Sequence, residues 1–302
     1  MRIAPLILSP LFLLTLGFSK DVAKPETGKT AVQMAPIWKL SDEDSTVYLA
    51  GSVHLLREKD MPIPEAFDRI YEKCDELVFE IDLAEMMDPA TAVKIRAAGS
   101  LPEGETLADR LAPETIAGIR KYLADQNLPE NAFDGLTPGM IYISLGSMEA
   151  MRQGARPDLG LETVYYRKST NDNKPSRGLE TVEFQITRFD EIDPKTVESL
   201  IVDTLEEVDE AEESLDEIID AWKSGDEEKI STLIVDRLAD TPEVKKVLLD
   251  DRNKNWIPEI EKALAGDKNV LFIVGAAHLA GEGSVVDFLR KKEYEVQQVR
   301  AK

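Results

Sequence analysis

Cysteine is nearly absent from this chain, with Cys74 alone among 302 residues. That excludes an internal disulfide and a thiolate zinc site, so stability has to come from an ordinary apolar core. Basic residues are also in short supply, 36 Lys and Arg against 58 Asp and Glu, for a formal charge of −22. A surface of that sign repels phosphate backbones and excludes nucleic acid as a natural partner. A membrane-spanning run is missing too: Ile3 to Phe18 is apolar, but Pro5, Ser9 and Pro10 interrupt it, and it falls short of the roughly 20 residues a span requires. There is no proline- or serine-rich linker to divide the chain into domains, and no strong internal repeat beyond one short motif.

Met1-Arg2 followed by that apolar run, with Gly17 and Ser19 as small residues behind it, has the grammar of a secretory signal. The expectation is a signal peptide over 1–19, a flexible leader over 20–35 and a single domain over 36–302, exported to the periplasm or the exterior. With no cysteine following the apolar run, lipid attachment there is not expected.

Two short β-like runs, Ile37 to Leu40 and Thr46 to Ala50, flank an acidic turn and predict a hairpin. Pro64 to Lys73 has helical spacing and leads into Glu76 to Asp82, a second strand that ends in acid. From Leu83 the pattern is helical, punctuated by Pro102, Pro113, Pro129 and Pro138. Arg177 to Thr181 reads as a short strand turning into a helix. Ile201, Leu205, Val208, Leu215, Ile219 and Trp222 recur at three- and four-residue steps and predict one long amphipathic helix from Pro194 to Trp222. Its acidic residues read as a solvated face, not a calcium site. A helix at Trp256 to Leu264, a strand at Asn269 to Val274, a helix near Ser284 to Lys292 and a last strand at Tyr294 to Val299 close the chain. The fold class expected is α/β, a central mixed, largely parallel sheet flanked by helices, with a mostly helical middle over about 83–260.

Both histidines occupy one pattern, Gly51-Ser52-Val53-His54 and Gly275-Ala276-Ala277-His278, each directly after a strand-like run. In an open α/β sheet, ligands collect beyond the carboxyl ends of the strands, so two equivalent strand ends could bring both imidazoles to one crevice. Glu80 ends a third strand, and after three large apolar residues its charge requires solvent or a partner. Asp82 follows on the same face and is placed to orient a neighbour or to be solvated. Two histidines and a carboxylate form a common ligand set for zinc, manganese, cobalt or iron with an open water position, and metal-bound water is a nucleophile at neutral pH. Packing histidines at tight turns are the alternative.

Four ordered blocks carry a resemblance: Tyr48 to His54, Glu76 to Asp82, Gly178 to Thr181 with Gln185, and Val274 to Gly281. Together they resemble the TraB/GumN family over nearly the whole chain. The resemblance implies a wider group that includes Tiki metalloproteases, pheromone-shutdown proteins, haem-binding ChaN-like proteins and erythromycin esterases. By similarity to the Tiki proteins, His54, Glu80 and His278 would hold a divalent metal ion. By similarity to the esterases, the same positions would work without metal. Glu180 and Gln185 fall in the family's Leu-Glu-Thr block and would orient substrate, though helix capping explains Glu180-Thr181 equally well. Arg252 and Arg57 are candidates for contacting a substrate carboxylate, with a surface ion pair the first expectation for Arg252.

The leading expectation is an exported metal-dependent, peptidase-like hydrolase with His54, Glu80 and His278 on a manganese, cobalt or zinc ion. A second keeps a small ester or amide substrate but makes His54 a metal-independent general base oriented by Glu80. A third is a non-catalytic binder of haem, metal or peptide.

Overall fold

A computed structural model of the chain describes residues 33–206 and 211–302. The expected signal peptide lies outside the described residues, as does the leader up to residue 32; Met34 and Ala35, assigned to the leader from sequence, instead open the first strand. Six strands, β1 (Met34–Ser41), β2 (Thr46–Ser52), β3 (Glu76–Ile81), β4 (Ser176–Glu180), β5 (Val270–Gly275) and β6 (Gln297–Arg300), form one sheet in the order β4-β3-β5-β2-β1-β6. β4, β3, β5 and β2 are parallel neighbours, while β1 is antiparallel to both β2 and β6. The fold class is therefore the expected one, a mixed, largely parallel sheet between helices.

The hairpin forms because its acidic turn satisfies itself. The Asp42 carboxylate accepts from the Ser45 N–H at 2.9 Å, fixing the bend that brings Ser41 opposite Thr46. Beyond it, strand alternation sorts side chains to two faces. Ile37, Tyr48, Ala50, Leu77, Phe79, Leu271 and Ile273 pack with Phe67, Tyr71, Tyr165 and Trp222 from the helices Glu65–Tyr71, Leu161–Asn171 and Ala211–Ser224. Trp38, Leu49, Val78, Phe272 and Val274 face the other way, onto the helices Asp251–Leu264 and Val285–Lys291. The middle of the chain builds a separate helical core from the helices Pro113–Asp125, Pro138–Arg152 and Pro194–Glu206.

Of the long helix expected from Pro194 to Trp222, the stretches Pro194–Glu206 and Ala211–Ser224 are helical, while Val208 of its apolar stripe lies outside the described residues. Their apolar stripes serve different cores: Val197, Leu200 and Ile201 join the helical one, and Leu215, Ile219 and Trp222 join the sheet. The last strand is also shorter than its pattern. It begins only at Gln297; before it, Glu293 has a φ of 68° and the Tyr294 hydroxyl donates to Glu261 at 3.0 Å. Among the described residues no helix is long and apolar enough to cross a membrane.

Cys74 sits in the sheet core, 3 % exposed, and burial pushes its thiol up to about 12. In the folded protein it is expected to be inert to an aromatic disulfide reagent at pH 8, and to titrate as one thiol per chain once denaturant is added. Rapid reaction of the native protein would contradict this packing.

Candidate active site at the carboxyl edge of the sheet

The parallel register places Ser52 of β2 directly opposite Gly275 of β5, with β3 on the far side of β5. His54 lies two residues beyond β2, Glu80 is the penultimate residue of β3, and His278 closes a single 3₁₀ turn after β5. Gly275 shows how closely they meet. A methyl group on its Cα would lie 3.2 Å from His54 Nε2, 3.3 Å from Glu80 Oε1 and 3.5 Å from the His278 ring. Side chains 26 to 224 positions apart thus surround one point, and only glycine leaves that point empty. Gly51 has the corresponding duty on β2, where a Cβ would press on Ala276 at 3.2 Å.

The two imidazoles differ in what holds them. His278 is 4 % exposed, with Nδ1 2.7 Å from Asn253 Oδ1. The Asn253 amide is oriented by its own N–H bond to the Gly283 carbonyl at 2.8 Å, so Oδ1 faces the ring and Nδ1 carries the proton. The bare Nε2 then accepts from Arg252 Nη1 at 3.2 Å. A proton there would confront a guanidinium, and burial together with Arg252 brings this imidazole down to about 3. His278 is a fixed neutral ring.

His54 is held by an acid that sequence reading missed. Its Nδ1 lies 2.5 Å from Glu162 Oε1, a close charge contact without the alignment of a linear hydrogen bond. Ser52 Oγ donates to the same carboxylate. Burial opposes a charge on His54, but Glu162, with Glu80 behind it, outweighs burial and holds the imidazole above its ordinary value. Nε2 carries no hydrogen bond among the described residues and borders a cavity of about 80 Å3 at the sheet edge.

Glu80 does not take the orienting role expected of it. Oε1 accepts the Gly275 N–H at 2.7 Å; Oε2 accepts from Arg252 Nη2 at 2.7 Å and from Gln185 at 3.3 Å. Burial by itself would raise this carboxyl, but Arg252, His278 and His54 together hold it well below the usual carboxylate range. Arg252 overturns the expected surface ion pair: it is 1 % exposed, at the centre of the site. Its Nε and Nη2 donate to Glu180, its Nη2 also to Glu80, and its Nη1 to His278 and to the Leu248 carbonyl. Every guanidinium N–H has a protein acceptor, so none is left for a substrate. Glu180 also accepts from Trp256 Nε1 at 2.8 Å and from Gln185 at 3.0 Å. The adjacent Thr181 caps the helix Val182–Thr187, and Asp82 caps the short helix Leu83–Met86. Arg57 lies apart from the cavity lining. It is ion-paired to Asp60 at 2.8 Å and to Asp216 at 2.7 Å, tying the loop after His54 to the helix Ala211–Ser224.

A signal for Glu162 is present after all. Gly-Leu-Glu-Thr-Val occurs twice, at 160–164 and 178–182. In each copy a Cβ on the glycine would collide with backbone, that of His54 for Gly160 and that of Asp82 for Gly178, so each glutamate is delivered against a strand-end loop. The first copy enters the helix Leu161–Asn171 and the second ends β4, yet Glu162 serves His54 while Glu180 serves Arg252 beside His278.

The donor set does not fit a metal ion shared by His54, Glu80 and His278. His278 Nε2 and Glu80 Oε2 both face Arg252, whose permanent charge fills the place between them, and Nδ1 of His278 is bound to Asn253. Among the described residues, no group of three or more His, Cys, Asp or Glu side chains is placed to hold a metal ion.

The model of the TraB/PrgY/gumN family matches residues 36–298. The chain is 22 % identical over 243 residues to a protein named "Uncharacterized protein YbaP" from Escherichia coli K12, covering 80 % of this chain and 87 % of that protein. The Shigella flexneri protein of the same name matches to the same extent. No solved structure matches. With the family model spanning the sheet, both Gly-x-x-His turns and the helical middle, this chain belongs to the TraB/PrgY/gumN family.

Proposed function

We propose that the protein is a hydrolase of ester or amide bonds in which His54 is the general base and no metal ion is required. The observation that carries this reading is the pairing of His54 Nδ1 with Glu162, which leaves Nε2 free at the cavity. A carboxylate beside one ring nitrogen stabilises the imidazolium that forms when the other takes a proton. In the step proposed, Nε2 accepts a proton from water as its oxygen bonds to the substrate carbonyl carbon. The same proton then passes to the leaving alkoxide or amine as the carbon–heteroatom bond breaks. His278, Glu80, Glu180 and Arg252 form a neutral-imidazole and ion-pair frame that holds the strand ends in place. We carry the expected export as part of the same proposal, on the strength of the charged and then apolar start.

Hydrolysis of p-nitrophenyl butyrate is expected to survive exhaustive chelation. Because the base works only when unprotonated, kcat/KM should rise with pH, with a midpoint above the ordinary imidazole value of about 6.5. In Glu162→Gln the raising influence is removed, so the midpoint should move down as the plateau falls. Activity lost on chelation and restored by one divalent ion per chain would refute the metal-free reading.

A further inference from the structure

The cavity at His54 has a polar floor and an apolar roof, and the two divide the work. The floor is His54, Glu80, Arg252 and His278; the roof is Ile218, Trp222, Ile230, Ile234, Leu248 and Leu249. Trp222 is the only roof side chain with a polar atom, and its Nε1 donates to the Gly51 carbonyl at 2.7 Å. With Arg252 saturated as well, none of the six roof side chains has a donor to spare, and a polar group buried against them would cost about 2–7 kcal/mol without a partner. Aliphatic substituents meet no such penalty.

Two single π-helical turns supply half of the roof, Ser231–Val235 with Ile234 and Lys246–Asp250 with Leu248 and Leu249. A π turn inserts an extra residue and re-aims the side chains around it, and such turns concentrate at functional sites. Here both turns border the same small space. At about 80 Å3 it has roughly half the volume of an apolar cavity of ~150 Å3 that takes benzene.

We propose that this cavity is an acyl pocket that seats a short aliphatic chain, about two to four carbons long on this volume, with Ile234 and Leu249 setting the limit. The proposal deepens the hydrolase reading and rests on it for the bond that is cleaved, while the pocket itself can be tested without turnover. Half-buried Ile218 and Ile234 stand at the mouth, where a longer chain would have to displace them.

The experiment compares p-nitrophenyl acetate, butyrate and octanoate, and separately measures saturable binding of 1-butanol by the full chain. In the wild type, kcat/KM is expected to fall at least about tenfold from butyrate to octanoate, the scale on which apolar pockets discriminate chain length. Ile234→Ala, at a half-buried position where truncation is tolerable, should raise the octanoate-to-butyrate ratio about tenfold. Ile234→Trp should abolish 1-butanol binding. Octanoate cleaved as well as butyrate, a ratio unmoved in Ile234→Ala, or 1-butanol binding unchanged in Ile234→Trp would overturn the pocket. Binding of 1-butanol that disappears in Ile234→Trp, with no ester cleaved by any variant, would support the pocket and overturn the hydrolase reading.

Discussion

His54→Ala is expected to lower kcat/KM for ester hydrolysis by about 10³-fold, the middle of the range for loss of a positioned general base, with a smaller loss of stability than His278→Ala. His278→Ala should behave differently. The side chain of His54 lies at the cavity with one nitrogen free, and Ser52 continues to donate to Glu162 when the imidazole is removed. His278 is locked between Asn253 and Arg252 and packs against Trp256, the ring centroids 4.5 Å apart and the planes tilted by 45°. Its deletion strands a buried amide oxygen and a guanidinium N–H, which should cost about 2–4 kcal/mol of folding free energy. Steady-state kinetics combined with denaturant unfolding of both variants checks the contrast. A shared metal ion predicts the opposite pattern, with both variants losing activity and bound metal in parallel. Equal kinetic loss at unchanged stability for His278→Ala would therefore count against the division of roles between the two rings.

That division was only half legible in the sequence. The strand ends were readable because β-branched and aromatic runs stop at Gly51 and Gly275, and the parallel α/β layout puts such ends on one edge. Glu80 was readable because an acid after Leu77-Val78-Phe79 cannot lie unpaired in a sheet. The partners were not. Asp251-Arg252-Asn253 looks like a solvated helix start, and nothing local shows that the helix Asp251–Leu264 turns Arg252 onto β3 and β4. Glu162 stands one residue into a helix whose exposed side is polar, so its burial depends on Gly160 seating against the His54 carbonyl. The repeated Gly-Leu-Glu-Thr-Val would have marked it, but two copies that fold differently, one a helix start and one a strand end, do not show up as a repeat of structure. The π turns were beyond reach for a related reason: one inserted residue breaks a 3.6-residue pattern and leaves the same trace as a loop.

Arg252→Met is expected to have the largest effect on folding, about 3–5 kcal/mol of destabilisation, because it removes the one cation from between two buried carboxylates. Glu80 and Glu180 have side chains only 7 % and 6 % exposed, so water cannot take over the lost interactions. The methionine has similar length and keeps much of the packing against Trp256, so the loss reports charge and hydrogen bonding more than volume. Arg252→Lys separates those two contributions. A lysine restores the charge but has three donors in place of five and no planar fork. It cannot reach Glu80, Glu180, His278 and the Leu248 carbonyl at once, and should recover only part of the stability. Since the same guanidinium holds His278 and Glu80 in register around Gly275, activity should fall in both variants, more steeply in the methionine one. Denaturant titration followed by tryptophan emission, with Trp256 donating to Glu180 in the folded state, measures the first effect. Wild-type stability in Arg252→Met would mean that the two carboxylates find another cation, and the ion-pair frame assigned to this edge of the sheet would have to be abandoned.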